Sequence, residues 1–87
     1  MNFKLLEFLE RENQIKLLEQ QLADAKLWVK RIDHEIANAE QRKSEFDRAS
    51  IHDSAEDEEY FINRIKKIKQ LYNLKIKHIR EEVLFLK

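Results

Sequence analysis

Eight residues from Ile15 to Ala39 fix what this chain can become. Ile15, Leu18, Leu22, Ala25, Val29, Ile32, Ile36 and Ala39 follow one another at spacings of 3-4-3-4-3-4-3 without an exception. Apolar side chains repeated every 3.5 residues form a seam along an α-helix that is buried only against another helix. Ile15, Leu22, Val29 and Ile36 take the a positions of a heptad, and Leu18, Ala25, Ile32 and Ala39 the d positions. The small d residues Ala25 and Ala39 invite close approach, or a larger side chain such as Phe61 or Tyr72 from the facing helix.

The rest of the chain offers nothing to interrupt helices. Among 87 residues there is neither glycine nor proline, and 39% are charged. Phosphate-binding loops, nucleophile elbows and two-residue hairpins need positive φ at low cost, which glycine usually supplies. Those chemistries lose their scaffold here. A breaker-free chain rich in Glu, Lys, Leu, Ile, Arg and Gln is the composition of long helices.

Continuing the first frame places Lys43, Phe46, Ser50, Asp53 and Asp57 in the core, so the first helix is expected to end near Arg48 to Ser50. An apolar pattern resumes at Phe61, Ile65, Ile68, Tyr72, Ile76, Ile79, Val83 and Leu86, with a stutter at Ile68-Tyr72-Ile76. Between the two, Asp53 and Ser54 are N-cap types, each followed three residues later by an acid, Glu56 and Asp57. The expected fold is an all-α antiparallel helical hairpin in one domain: a helix over about 2–49, a turn at about 50–54 and a helix over about 55–86. Facing residue numbers should then add to about 105, so that the second helix reaches back to about residue 18.

Residues 1–17 are left over in that register, with Phe3, Leu5, Leu6, Phe8 and Leu9 among them. Leu71, Leu74 and Phe85 make a second stripe on the last helix, and a helix apolar on two sides usually has two neighbours. Trp28 lies beside the seam, placed either for a core or dimer contact or to anchor another protein. These nine residues are the expected contacts of a homodimer of hairpins closing into a helical bundle, or of an unidentified protein partner. The alternative is a monomeric three-helix bundle, with a break at Arg11 to Gln14 and residues 2–12 folded back.

Sequence patterns for chemistry are sparse. His34, His52 and His78 lack metal-ligand spacing, carboxylates on a two-helix module would be solvated, and no cofactor is expected. There is no cysteine, and Lys4, Glu7, Glu10 and Arg11 interrupt the N-terminal apolar residues before a membrane span could form. A cytoplasmic, non-enzymatic protein-binding module is the expectation, in the manner of an adaptor, chaperone or inhibitor. The runner-up is a nucleic-acid-binding protein. Seven basic residues and no acid lie between Tyr60 and Arg80, and Lys66, Lys69, Lys77 and Arg80 share a side on which phosphates could be tracked. Equally, Glu19, Asp24, Asp33, Glu35, Glu40 and Glu45 on the first helix could neutralise them.

The segment "DSAEDEEY", Asp53 to Tyr60, resembles the coiled-coil tip of the Gre-type transcript-cleavage factors, D-L-x-E-N-A-E-Y, with Asp53, Glu56, Glu59 and Tyr60 matching in place. The resemblance implies a hairpin tip entering the secondary channel of RNA polymerase, where Asp53 and Glu56 would help to hold a metal ion. Ser54, Asp57 and Glu58 depart from the motif, as does His52 where glycine is usual.

Overall fold

The computed structural model describes residues 3–87 and consists of two helices, α1 (Phe3–Arg48) and α2 (His52–Leu86), packed as an antiparallel hairpin. It is a thin rod, 73 × 14 × 14 Å, with a radius of gyration of 20.3 Å, where a compact domain of this length would have about 12 Å. Asn2, at the expected start of α1, lies outside the described residues. No break interrupts α1 at Arg11 to Gln14, so the folded-back first helix does not form.

The buried and half-buried residues of α1 continue the heptad through Lys43 to Phe46. On α2 they run Ala55, Glu58, Ile62, Ile65, Lys69, Tyr72, Ile76, Ile79, Val83 and Leu86. That is an unbroken 3-4 repeat. The expected stutter is absent, because the seam passes through Ile62 and Lys69, while the neighbouring Phe61 and Ile68 stay 37% and 40% exposed beside it. Lys69 holds this frame by laying its alkyl stem along the seam and bringing Nζ within 2.6 Å of Asp33 Oδ1.

The two buried stripes mirror each other about the turn, so facing residues add to 101 rather than 105: 15 with 86, 22 with 79, 39 with 62, 46 with 55. One cluster unites Ile15 and Leu18 with Ile79 and Val83 at the open end; another unites Ile36 and Ala39 with Ile62. Ion pairs Arg42–Glu58, Lys43–Glu59, Glu40–Lys66 and Glu19–Lys87 fit the same register. The register sets small residues against large ones, Ala39 level with Ile62, Ala25 with Ile76 and Ala55 with Phe46. Ala39 is wholly buried at 0% exposure, and neither Phe61 nor Tyr72 lies level with it.

The turn is shorter than expected, Ala49 to Ile51. Ser50 adopts φ 59°, and two backbone bonds close α1: Ser50 N–H donates to Asp47 O at 3.1 Å and Ile51 N–H to Phe46 O at 2.9 Å. This is the left-handed helix terminus that glycine normally serves. Ile51 then begins α2 by accepting from Ala55 N–H, and no side chain caps that helix. Asp53 and Ser54 therefore lie inside the first turn instead of capping it, since backbone closure brings the chain into helix at His52, ahead of both.

Two consequences are measurable. Ile62→Ala should cost about 2–4 kcal/mol in urea unfolding and the larger Phe61→Ala less than about 1; the reverse order would restore the frame through Phe61. Ser50→Gly should raise stability by about 1 kcal/mol through relief of the left-handed backbone, read as a higher urea midpoint at unchanged slope.

Candidate docking surface

The seam divides the rod into two unlike flanks. The e positions are Glu19, Lys26, Asp33, Glu40 and Asp47 on α1, and Glu59, Lys66, Asn73, Arg80 and Lys87 on α2. Glu19–Lys87 and Glu40–Lys66 join them across the hairpin at 3.6 and 3.9 Å, with Lys43–Glu59 and Asp33–Lys69 beside them. Exposed pairs of this kind contribute little each, of order 0.2–1 kcal/mol. Their effect is to make this flank polar along its length.

The g, c and f positions form the other flank. Beyond the N-terminal segment, the exposed large apolar side chains are Leu17, Leu27 and Trp28 on α1 and Tyr60, Phe61, Ile68, Leu71, Leu74 and Phe85 on α2, all at g, c or f, with Ile51 and Leu84 elsewhere. Phe85 is 89% exposed. The Trp28 ring is held by Arg31, whose guanidinium carbon lies 5.1 Å from its centroid. Near the open end, Gln14, His78, Glu81, Glu82, Phe85 and Leu86 line an open groove.

Leu86 lies level with Ile15, so residues 3–14 project beyond α2 by about 18 Å at 1.5 Å per residue. In this overhang the seam positions are Lys4, Phe8 and Arg11, whereas Phe3, Leu5, Leu6 and Leu9 stand at c, e, f and b. The apolar side has rotated away from the seam. A longer α2 would run along Lys4, Phe8 and Arg11 and leave the outer side chains in water.

Of the expected contacts, Phe3, Leu5, Leu6, Phe8, Leu9, Trp28, Leu71, Leu74 and Phe85 are all exposed. The basic residues Lys66, Lys69, Lys77 and Arg80 share the polar flank, where Glu40 and Asp33 take Lys66 and Lys69. At the tip, Asp53, Glu56 and Tyr60 share the outer side of α2, while Glu59 turns to Lys43 at 3.8 Å. Among the described residues no group of three or more His, Cys, Asp or Glu is placed to hold a metal ion, and no helix is long and apolar enough to cross a membrane. Arg42 is raised above its ordinary pKa by its hydrogen bonds to Glu58, against a smaller desolvation effect, with the charges of Glu58 and Glu35 adding. Compared with protein families, curated proteins and solved structures, the chain matches none.

Sequence reasoning had not singled out Leu17, Leu27 or Ile68 as surface residues. For Ile68 the signal is a strict heptad carried through α2 despite its two charged seam positions; Leu17 and Leu27 already stand off the α1 heptad.

If this flank is surface and not core, Leu71→Glu with Leu74→Glu should shift stability by less than about 1 kcal/mol, whereas Ile76→Glu should unfold the hairpin. Circular dichroism through a urea titration separates the two.

Proposed function

We propose that this chain is a cytoplasmic, non-enzymatic protein-binding module, a small coiled-coil adaptor, chaperone or inhibitor that acts on a larger protein or complex through its g, c and f flank. One observation carries the reading: the exposed apolar side chains gather on one flank of a two-helix rod whose opposite flank is ion-paired. Surface apolar residues scattered singly need no explanation, but a set gathered on one flank with a tryptophan and three phenylalanine or tyrosine rings has the make-up of a recognition surface. Proteins use such helical faces by laying them against apolar grooves or other helices.

A second reading has its own support. Arg64, Lys67, Lys75, Lys77 and Arg80 form no ion pair among the described residues, which leaves cationic groups along α2 for nucleic acid or for an RNA-polymerase site reached by the acidic tip. Phosphate contacts weaken steeply with salt, while apolar contacts do not.

Affinity capture from the native lysate at low and high salt, with and without nuclease, tests both. A stoichiometric protein retained at high salt after nuclease, and lost when Leu71 and Leu74 are both replaced by Glu, is the expected result. Retention abolished by nuclease or salt and indifferent to that double variant would overturn it in favour of the unpaired cations of α2.

A further inference from the structure

The rod carries more surface than a compact chain of its mass. The rod exposes 7178 Å², whereas a compact monomer of 10.6 kDa exposes about 5,500 Å². The excess is roughly twice the ~800 Å² that each partner buries in a standard interface.

The apolar groups on the outer flank are also spaced regularly. Leu6, Leu17 and Trp28 are separated by 11 residues each, close to three helical turns, so they fall along one line about 16 Å apart. Each has exposed apolar neighbours: Leu9 near Leu6 in the overhang, Phe85 level with residue 16 beside Leu17, and Leu74 level with residue 27 beside Trp28. Polar Asn13, Gln20 and Asp24 lie between. The pattern is symmetric about Leu17.

Resting on the protein-binding reading above, we infer that the occupant of the open-end part of this flank, from Leu6 to Trp28, is a second copy of the chain, laid antiparallel about a two-fold axis at Leu17 and Phe85, leaving Tyr60, Phe61 and Ile68 to the larger protein. Rotation about that axis exchanges the outer groups, so the overhang of each copy covers Trp28 and Leu74 of the other, and Leu17 meets its own copy. Such an interface is isologous and closes as a dimer. It also explains the rotated apolar side of the overhang, which faces away from α2.

Charge selects antiparallel over in-register pairing. In register, Glu7 and Glu10 of the overhang would face their own copies. Antiparallel, Glu7 instead comes level with the g-position Lys75 of the second copy, in the stretch of α2 that carries no acid. Opposite charges flank the apolar contacts and fix direction.

The test uses the full chain, which has no native cysteine. Sedimentation equilibrium over about 1–500 µM should show a dimer, and Leu17→Glu should give a monomer of unchanged helicity, its dissociation constant raised at least about 100-fold. For geometry, Asn13→Cys and Gln21→Cys proteins are mixed and oxidised. A disulfide between the two variants is expected, with none in Asn13→Cys alone, because that position lies about 12 Å along the axis from its own copy. A monomer across the whole range, or self-linking of Asn13→Cys, overturns the inference. These results are separable from the preceding reading: a monomer that still captures a protein through Leu71 and Leu74 ends the dimer alone, and a dimer that captures nothing ends the adaptor role alone.

Discussion

The register of the seam is the constraint on which the rest of this molecule depends. Ten levels run from Phe46 opposite Ala55 to Ile15 opposite Leu86, and the charged residues within them are what hold the pairing in place. A slip of one heptad in one direction would bring Lys43 level with Ile65 and Lys69 level with Ala39; in the other, Glu58 would face Ile36 and Lys69 would face Ala25. Each slip strips a charged group of its neighbour, whereas the observed register gives Lys69 to Asp33 and Glu58 to Arg42. Polar groups at seam positions lower the apolar gain but specify one alignment. The turn at Ser50 acts in the same sense, because its left-handed residue fixes where the chain reverses.

From that register follow the two flanks. Once a and d are assigned on both helices, e lies on one side of the rod and g on the other. In an antiparallel pair e meets e and g meets g, so a chain can make its sides chemically different. This one places Glu19, Asp33 and Glu40 against Lys87, Lys69 and Lys66 on the first side, and Trp28, Phe61 and Ile68 on the second. Three ion pairs tie the polar side across the hairpin, with Lys77 and Arg80 left outside them.

How much of this was legible in the sequence depended on whether apolar identity and helical geometry agreed. On α1 they agree, so the seam from Ile15 to Ala39 and the end of the helix at Arg48 could be read directly. On α2 they part company at two places. Phe61 is larger than Ile62, and Ile68 is apolar where Lys69 is charged, so following the apolar residues leads one position off the seam and creates a stutter that the helix does not have. A lysine stem buries its methylenes while its ammonium reaches an acid, and no residue-type pattern carries that information. The turn failed for a related reason: Asp53 and Ser54 are good caps by type, but backbone bonds from Ser50 and Ile51 had already closed the reversal. The docking flank was half legible. Trp28, Leu71, Leu74 and Phe85 stand out as apolar residues off the seam, and so do Leu17 and Leu27 on the α1 wheel, whereas Ile68 becomes a surface residue only on the corrected α2 wheel.

A rod 14 Å across has no interior beyond the line where its helices touch. Its buried residues form two small clusters, with Ala25 and Ile76 between them and Ala55 near the turn, and most further apolar side chains must lie on the outside. Short of adding a third helix, such a chain gains apolar burial only by association, and whatever binds the folded hairpin stabilises it by mass action. Covering the g, c and f flank would therefore strengthen the α1–α2 pairing that creates the flank. Docking and folding draw on the same side chains, and a substitution at Trp28 or Leu17 that leaves the isolated hairpin unchanged would still reduce the stability of the bound one.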